Sequence, residues 1–147
     1  MTEPIIDRDN LREEVLSAFS RGFNCAESIV VPFSSAFGRD GAEMMKLATP
    51  FGAGIGGRRD LCGILTGGTM IIGLLHGRID PADAEQKAIA YKMAARYYRW
   101  FKEKQKVRCS EIVRGKFTGH TDACVELMGE AQAKLLELVG GEDGEFT

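Results

Sequence analysis

Leu61-Cys62-Gly63-Ile64-Leu65-Thr66-Gly67-Gly68-Thr69-Met70-Ile71-Ile72-Gly73-Leu74-Leu75 is the longest apolar run in the chain, and its reading decides the fold class. A membrane-crossing helix needs about 20 apolar residues. This run is shorter and is interrupted by glycines, so it predicts a buried helix, with His76 helping its C-terminal end and Gly77 closing it. Gly63 and Gly67 stand four apart, hence on one helix face, where they permit close approach of a second helix backbone.

Immediately before it lies Phe51-Gly52-Ala53-Gly54-Ile55-Gly56-Gly57-Arg58-Arg59-Asp60, a glycine-rich loop. Gly52, Gly54 and Gly57 match Gly-x-Gly-x-x-Gly, but a dinucleotide site needs a strand ahead of the loop. Glu43 to Pro50 reads as a helical turn instead. What survives is a tight loop whose backbone, with Arg58, Arg59 and the following helix start, is suited to holding an anion. Gly52, Gly54, Gly57 and Arg58 are the candidate cofactor-contacting residues.

Outward from there the pattern is helical. Asp7 or Asp9 caps a first helix with Leu11, Val15, Ala18 and Phe19 on one face, ended by Gly22. Asn24 and Glu27 resemble a capping box. The helix they open carries Ile29, Val30, Phe33 and Phe37 and stops at Gly38, with Pro32 expected to kink or limit it. A short amphipathic piece follows from Ala42 to Ala48. Asp80-Pro81 signals the start of a helix reaching about Gln105. Cys109 to Gly115 reads as one or two short turns. Thr121 or Asp122 caps a last helix through Val139, ended by Gly140-Gly141. No stretch alternates over a strand length. The expectation is an all-α bundle of five or six helices in one domain over 1–147, frayed at about 1–6 and 142–147.

Composition agrees with an ordinary globular chain: 147 residues, 44% hydrophobic, 27% charged, and a net charge of -2 that gives no reason to expect nucleic acid. From Lys87 to Arg108 basic residues interleave with aromatics. Lys92, Arg96, Arg99 and Glu103 fall on one helical face and Tyr91, Ala94, Tyr98 and Phe101 on another, which predicts a solvated face and a core face. The acidic segment from Asp122 onward is suited to pairing with that basic helix, within the chain or across a homodimer. No membrane span is expected. Met1-Thr2-Glu3-Pro4 has neither a basic nor an apolar leader region, so a cytoplasmic location is expected.

Four cysteines, Cys25, Cys62, Cys109 and Cys124, carry the candidate chemistry. No Cys-x-x-Cys is present. Cys25, Cys62 and Cys124 fall at predicted helix starts, where partial positive charge and free N–H groups stabilise a thiolate. His120, four residues before Cys124, is a further candidate ligand. The bland alternative is four small buried hydrophobes.

Gly22-Phe23-Asn24-Cys25-Ala26-Glu27-Ser28, Phe51 to Gly57, Cys62-Gly63-Ile64-Leu65-Thr66-Gly67, the Cys109, Ile112 and Gly115 block, and Cys124 occur in order. Together they resemble the C_GCAxxG_C_C family, a group of small redox-active proteins with four characteristic cysteines. The resemblance spans about residues 15 to 135, with Ile64 standing where the family has alanine. It implies cysteine redox or cofactor chemistry at the four cysteines and names no substrate.

Three functions compete. The first is thiol–disulfide exchange serving electron or thiol transfer with an unnamed redox partner. The second is a metal or iron–sulfur module with the same four sulfurs as ligands. The third is a helical interaction domain with inert cysteines. At least two sulfurs are expected to meet, with Cys25–Cys62 and Cys109–Cys124 as the preferred pairs.

Overall fold

A computed structural model describes residues 6–104, 106–113 and 122–140. Among these are seven α-helices and no strand: α1 Arg8–Ser20, α2 Cys25–Ala36, α3 Gly41–Ala48, α4 Gly63–His76, α5 Ala84–Lys104, α6 Cys109–Ile112 and α7 Asp122–Val139. The class is all-α. The count exceeds the expected five or six because the short piece after Gly38 and the turn at Cys109 each close helical hydrogen bonds. Expectations for the two chain ends, Gln105, Gly115, His120 and Thr121 fall wholly or partly outside the described residues.

Capping chemistry sets the boundaries. Asp7 accepts from the Asn10 N–H and opens α1. At its other end the Phe23 and Gly22 amides bond back to the Ala18 and Phe19 carbonyls, the six-to-one pattern that turns a chain out of a helix. The Asn24–Glu27 capping box is complete, each side chain bonding the other's backbone N–H at 2.9 Å. Such a cap stabilises by about 1 kcal/mol. Helix α2 runs on through Pro32 and is not limited by it. Helix α5 starts three residues later than Asp80-Pro81 implied. Asp80 caps a turn through the Ala82 N–H, and Asp83 caps the helix through the Gln86 N–H.

The apolar run is the buried helix α4, beginning at Gly63 with Cys62 as its N-cap. It packs against α2, α5 and α7, while α2 also meets α1 and α3. Glycines make the α2–α4 crossing close: a Cβ on Gly63 would lie 2.9 Å from the Cβ of Cys25, and one on Gly67 would lie 3.0 Å from the Ala26 carbonyl oxygen. Ring packing replaces that role at Gly68, which lies against Tyr97, whose hydroxyl donates to the Ile64 carbonyl at 2.8 Å.

The core face of α5 is Met93, Tyr97 and Phe101. This corrects the sequence expectation for Tyr91 and Tyr98, which are exposed. Steps of four place 93, 97 and 101 on one stripe, and Tyr91 instead lies under Lys87, whose Nζ is 5.1 Å from the ring centroid. Acidic α7 pairs with basic α5 within the chain, through Lys104 and Glu130. His76 reaches past its own helix: its Nε2 lies 2.9 Å from the Val139 carbonyl oxygen and fastens α4 to the end of α7.

Candidate functional site

All four cysteines are buried thiols outside any disulfide, and each stands at a helix start. Cys25 is the first residue of α2, Cys62 caps α4, Cys109 opens α6 and Cys124 lies in the first turn of α7. The sequence signal anticipated three of these placements. Cys109 lacked an obvious cap residue before it, and its position comes from backbone pairing instead. Leu61 and Arg108 form an antiparallel bridge. Around it the Cys62 N–H donates to Val107 O at 2.9 Å, the Cys109 N–H to Asp60 O at 2.6 Å and the Ser110 N–H to Arg59 O at 3.0 Å. This two-stranded contact holds Cys62 and Cys109 on two neighbouring stretches of chain, diagonally across the bridge.

The four sulfurs feel one another. Cys25 and Cys124 share a thiol hydrogen bond, which raises the Cys25 pKa far above the usual thiol range, with burial and the other three cysteines adding to it. The Cys25 thiol therefore keeps its proton near neutrality. Burial pushes Cys62 up to about 12, against the opposing pull of the Ile64 and Leu65 amides at the start of α4. Cys109 is raised by burial and by Cys124, while the Arg59 guanidinium lowers it. Tyr97 is also raised, by burial and then by Cys62, which places its ring beside the same cluster. The thiols lie near enough to raise one another's pKa. The hydrogen-bonded partner of Cys25, however, is Cys124 and not Cys62. Glycine-rich flanks do bring Cys62 near, but α7 delivers a sulfur directly onto the first turn of α2.

The glycine-rich loop adjoins this cluster. A 3₁₀ turn over Thr49–Phe51 precedes it, so the strand of a dinucleotide site is missing, as expected. Every residue from Ala53 to Gly57 has positive φ, including Ala53 at 50° and Ile55 at 70°. A left-handed run costs L-residues roughly 1–2 kcal/mol each, and glycines at 54, 56 and 57 lower the total. Gly54 is required twice over, because a Cβ there would run into the backbone of Arg59 and Asp60. The loop is fastened to α2 by the Asn24 side chain, which donates to Thr49 O at 3.1 Å.

Between the loop and the start of α2 lies a pocket of about 410 Å³ that reaches Cys25, with Gly52 and Gly57 in its wall. Gly54 supports the loop from behind. Arg58 is exposed and outside the wall, and Arg59 is the arginine whose charge Cys109 senses. Two further residues escaped sequence reasoning in this role. Glu27 is 6% exposed and its carboxylate accepts from the Thr49 hydroxyl at 2.7 Å as well as from its own cap. Phe23 forms part of the pocket wall. The capping signal found Glu27, but nothing local announced that Thr49 would cover it.

Among the described residues no group of three or more His, Cys, Asp or Glu side chains is disposed to hold a metal ion. The metal and iron–sulfur alternative draws no support from this arrangement. Also among them, no helix is long and apolar enough to cross a membrane.

Fold and site together define a class: an all-α protein with four interacting thiols gathered where helices begin. The model of the family described as "Putative redox-active protein (C_GCAxxG_C_C)" matches residues 23–138. The chain belongs to the C_GCAxxG_C_C family. No match was found among curated proteins or among solved structures.

Proposed function

We propose that the protein is a thiol–disulfide redox protein whose working pair is Cys25 and Cys124, with Cys62 and Cys109 as a neighbouring second pair. The hydrogen bond between the Cys25 and Cys124 thiols is the observation that carries this reading. Two sulfurs in that contact need little movement to bond.

The step balances with a disulfide as oxidant. Cys25 Sγ attacks one sulfur of the substrate disulfide as its proton passes to the departing substrate sulfur, which leaves as a thiol. A mixed disulfide forms. Cys124 Sγ then attacks Cys25 Sγ, and its proton departs with the second substrate thiol. The two cysteines lose two electrons and the substrate gains them. Run backwards, the same steps reduce the pair with a dithiol partner. As a dithiol, Cys62 and Cys109 would return this disulfide to two thiols by the same exchange and become the disulfide themselves. A cytoplasmic location suits the reading, because the reducing pool there returns such pairs to thiols.

Limited oxidation followed by mass-spectrometric mapping of the linkages tests it. The expected first product is Cys25–Cys124. A first product linking Cys25 to Cys62, or no internal linkage at all, overturns the assignment.

A further inference from the structure

We propose that the pocket beside Cys25 is the entry site for the oxidant, and that it selects a small, uncharged disulfide. The inference rests on the function proposed above and adds the substrate class. Its basis is the wall. Phe19 and Phe23 supply aromatic surface, and the left-handed loop supplies backbone through Gly52, Ala53 and Gly57. Among the described residues lining the pocket none is charged. The polar groups present are already engaged: Asn24 with Glu27 N and Thr49 O, and the Thr49 hydroxyl with Glu27. A charged substrate arm placed here would lose water and find no partner, a cost that an uncharged arm avoids. Arg21 lies over the Phe23 ring, 5.2 Å from its centroid, but is not part of the wall. The volume of about 410 Å³ is at the small end of ligand pockets and suits a compact molecule. Cys25 belongs to the wall, whereas Cys62, Cys109 and Cys124 do not, so the pocket delivers substrate to one sulfur of the pair.

Three oxidants of similar size and different charge test this on the full chain: hydroxyethyl disulfide (neutral), cystamine (cationic) and dithiodiglycolate (anionic). Rates of Cys25–Cys124 formation are divided by each reagent's rate with free mercaptoethanol. The expected result is a preference for the neutral reagent of about tenfold, equivalent to about 1.4 kcal/mol. In Phe23→Glu that preference should move to cystamine. A measurement on the unaltered protein stands beside it: the unreactive thioether analogue of hydroxyethyl disulfide should slow alkylation of Cys25 by iodoacetamide, saturably. If Cys25–Cys124 forms at equal corrected rates with all three reagents and the thioether gives no protection, the pocket assignment is overturned while the redox pair stands. If no reagent forms that linkage, both fall.

Discussion

Cys25 and Cys124 are held differently from Cys62 and Cys109. The first two sit in the opening turns of α2 and α7, helices of 12 and 18 residues packed into the core. The other two sit on a bridge of extended chain, held by three backbone hydrogen bonds and an exposed Arg108–Asp60 ion pair at 3.4 Å. Long helices fix a sulfur through many buried contacts, so the geometry of the first pair is over-determined. The bridge adds a few polar contacts near the surface to two sulfurs that are themselves buried, one of them capping α4. A stable reactive contact and a more yielding neighbour thus coexist within one cluster.

The sharpest way to break this contrast is to remove one sulfur at a time. Cys25→Ser should abolish the primary linkage completely, whereas Cys62→Ser should leave Cys25–Cys124 formation within about threefold of the parent rate, an interval worth roughly 0.7 kcal/mol. Linkage mapping after limited oxidation reads both. Equal losses would show that the two pairs act as a single unit.

Next in size is the helix crossing that seats Cys25. Gly63→Val places methyl groups where even a Cβ would be 3.0 Å from the Ala26 amide nitrogen, and overpacking of this kind costs about 1–3 kcal/mol. Gly73→Ala on the same helix is the matched control. Its Cβ meets nothing within 4 Å, so it should stabilise by about 0.5–1 kcal/mol through helix propensity. Opposite signs in denaturant unfolding are expected; a neutral Gly63→Val would mean that the crossing is looser than described.

Alkali sharpens the comparison in another way. The Cys62 thiol ionises near 9 when unfolded and is pushed up to about 12 in the fold. Its contribution to stability is complete below pH 9 and declines as pH rises from 9 toward 12, because the unfolded chain then releases a proton that the folded chain keeps. Thermal unfolding should fall across that window, and less steeply in Cys62→Ala. Identical slopes for the two proteins would remove Cys62 from the explanation.

The smallest effect belongs to the ion pair on the bridge. Asp60 and Arg108 side chains are 57% and 65% exposed, and such pairs contribute about 0–1 kcal/mol. Asp60→Ala should therefore change stability by less than about 1 kcal/mol and leave the mapped linkages unchanged, since the backbone bonds remain. Loss of the Cys109 linkages in that variant would show that the ion pair, not the backbone, holds the bridge.

Local chemistry in the sequence announced most of the helices. The Asp7 cap, the Asn24–Glu27 box and the apolar run ending at His76 are each legible within a few residues, because their partners lie within one or two helical turns. The four cysteines and their tendency to gather were legible as well. What escaped notice depends on distant partners. Nothing near Leu61 shows that Arg108 will pair with it, since one bridge leaves no alternation to read. Nothing near Cys25 shows that α7 will bring Cys124 to it in preference to Cys62. The face of α5 was misread for a milder reason: Tyr91 and Tyr98 are amphipathic and sit comfortably at the surface with their hydroxyls in water.

The loop from Ala53 to Gly57 has a consequence for chemical synthesis. All five residues have positive φ, the sign that an amino acid of inverted configuration favours. Gly56 and Gly57 have open space where an L Cβ would project, so it is the positive φ and not a clash that disfavours L-alanine there. A chain assembled with D-alanine at those two sites would keep the loop shape and stiffen the unfolded ensemble, while L-alanine at the same sites would work against it. Handedness, at these positions, is a property that the side chain can be chosen to match.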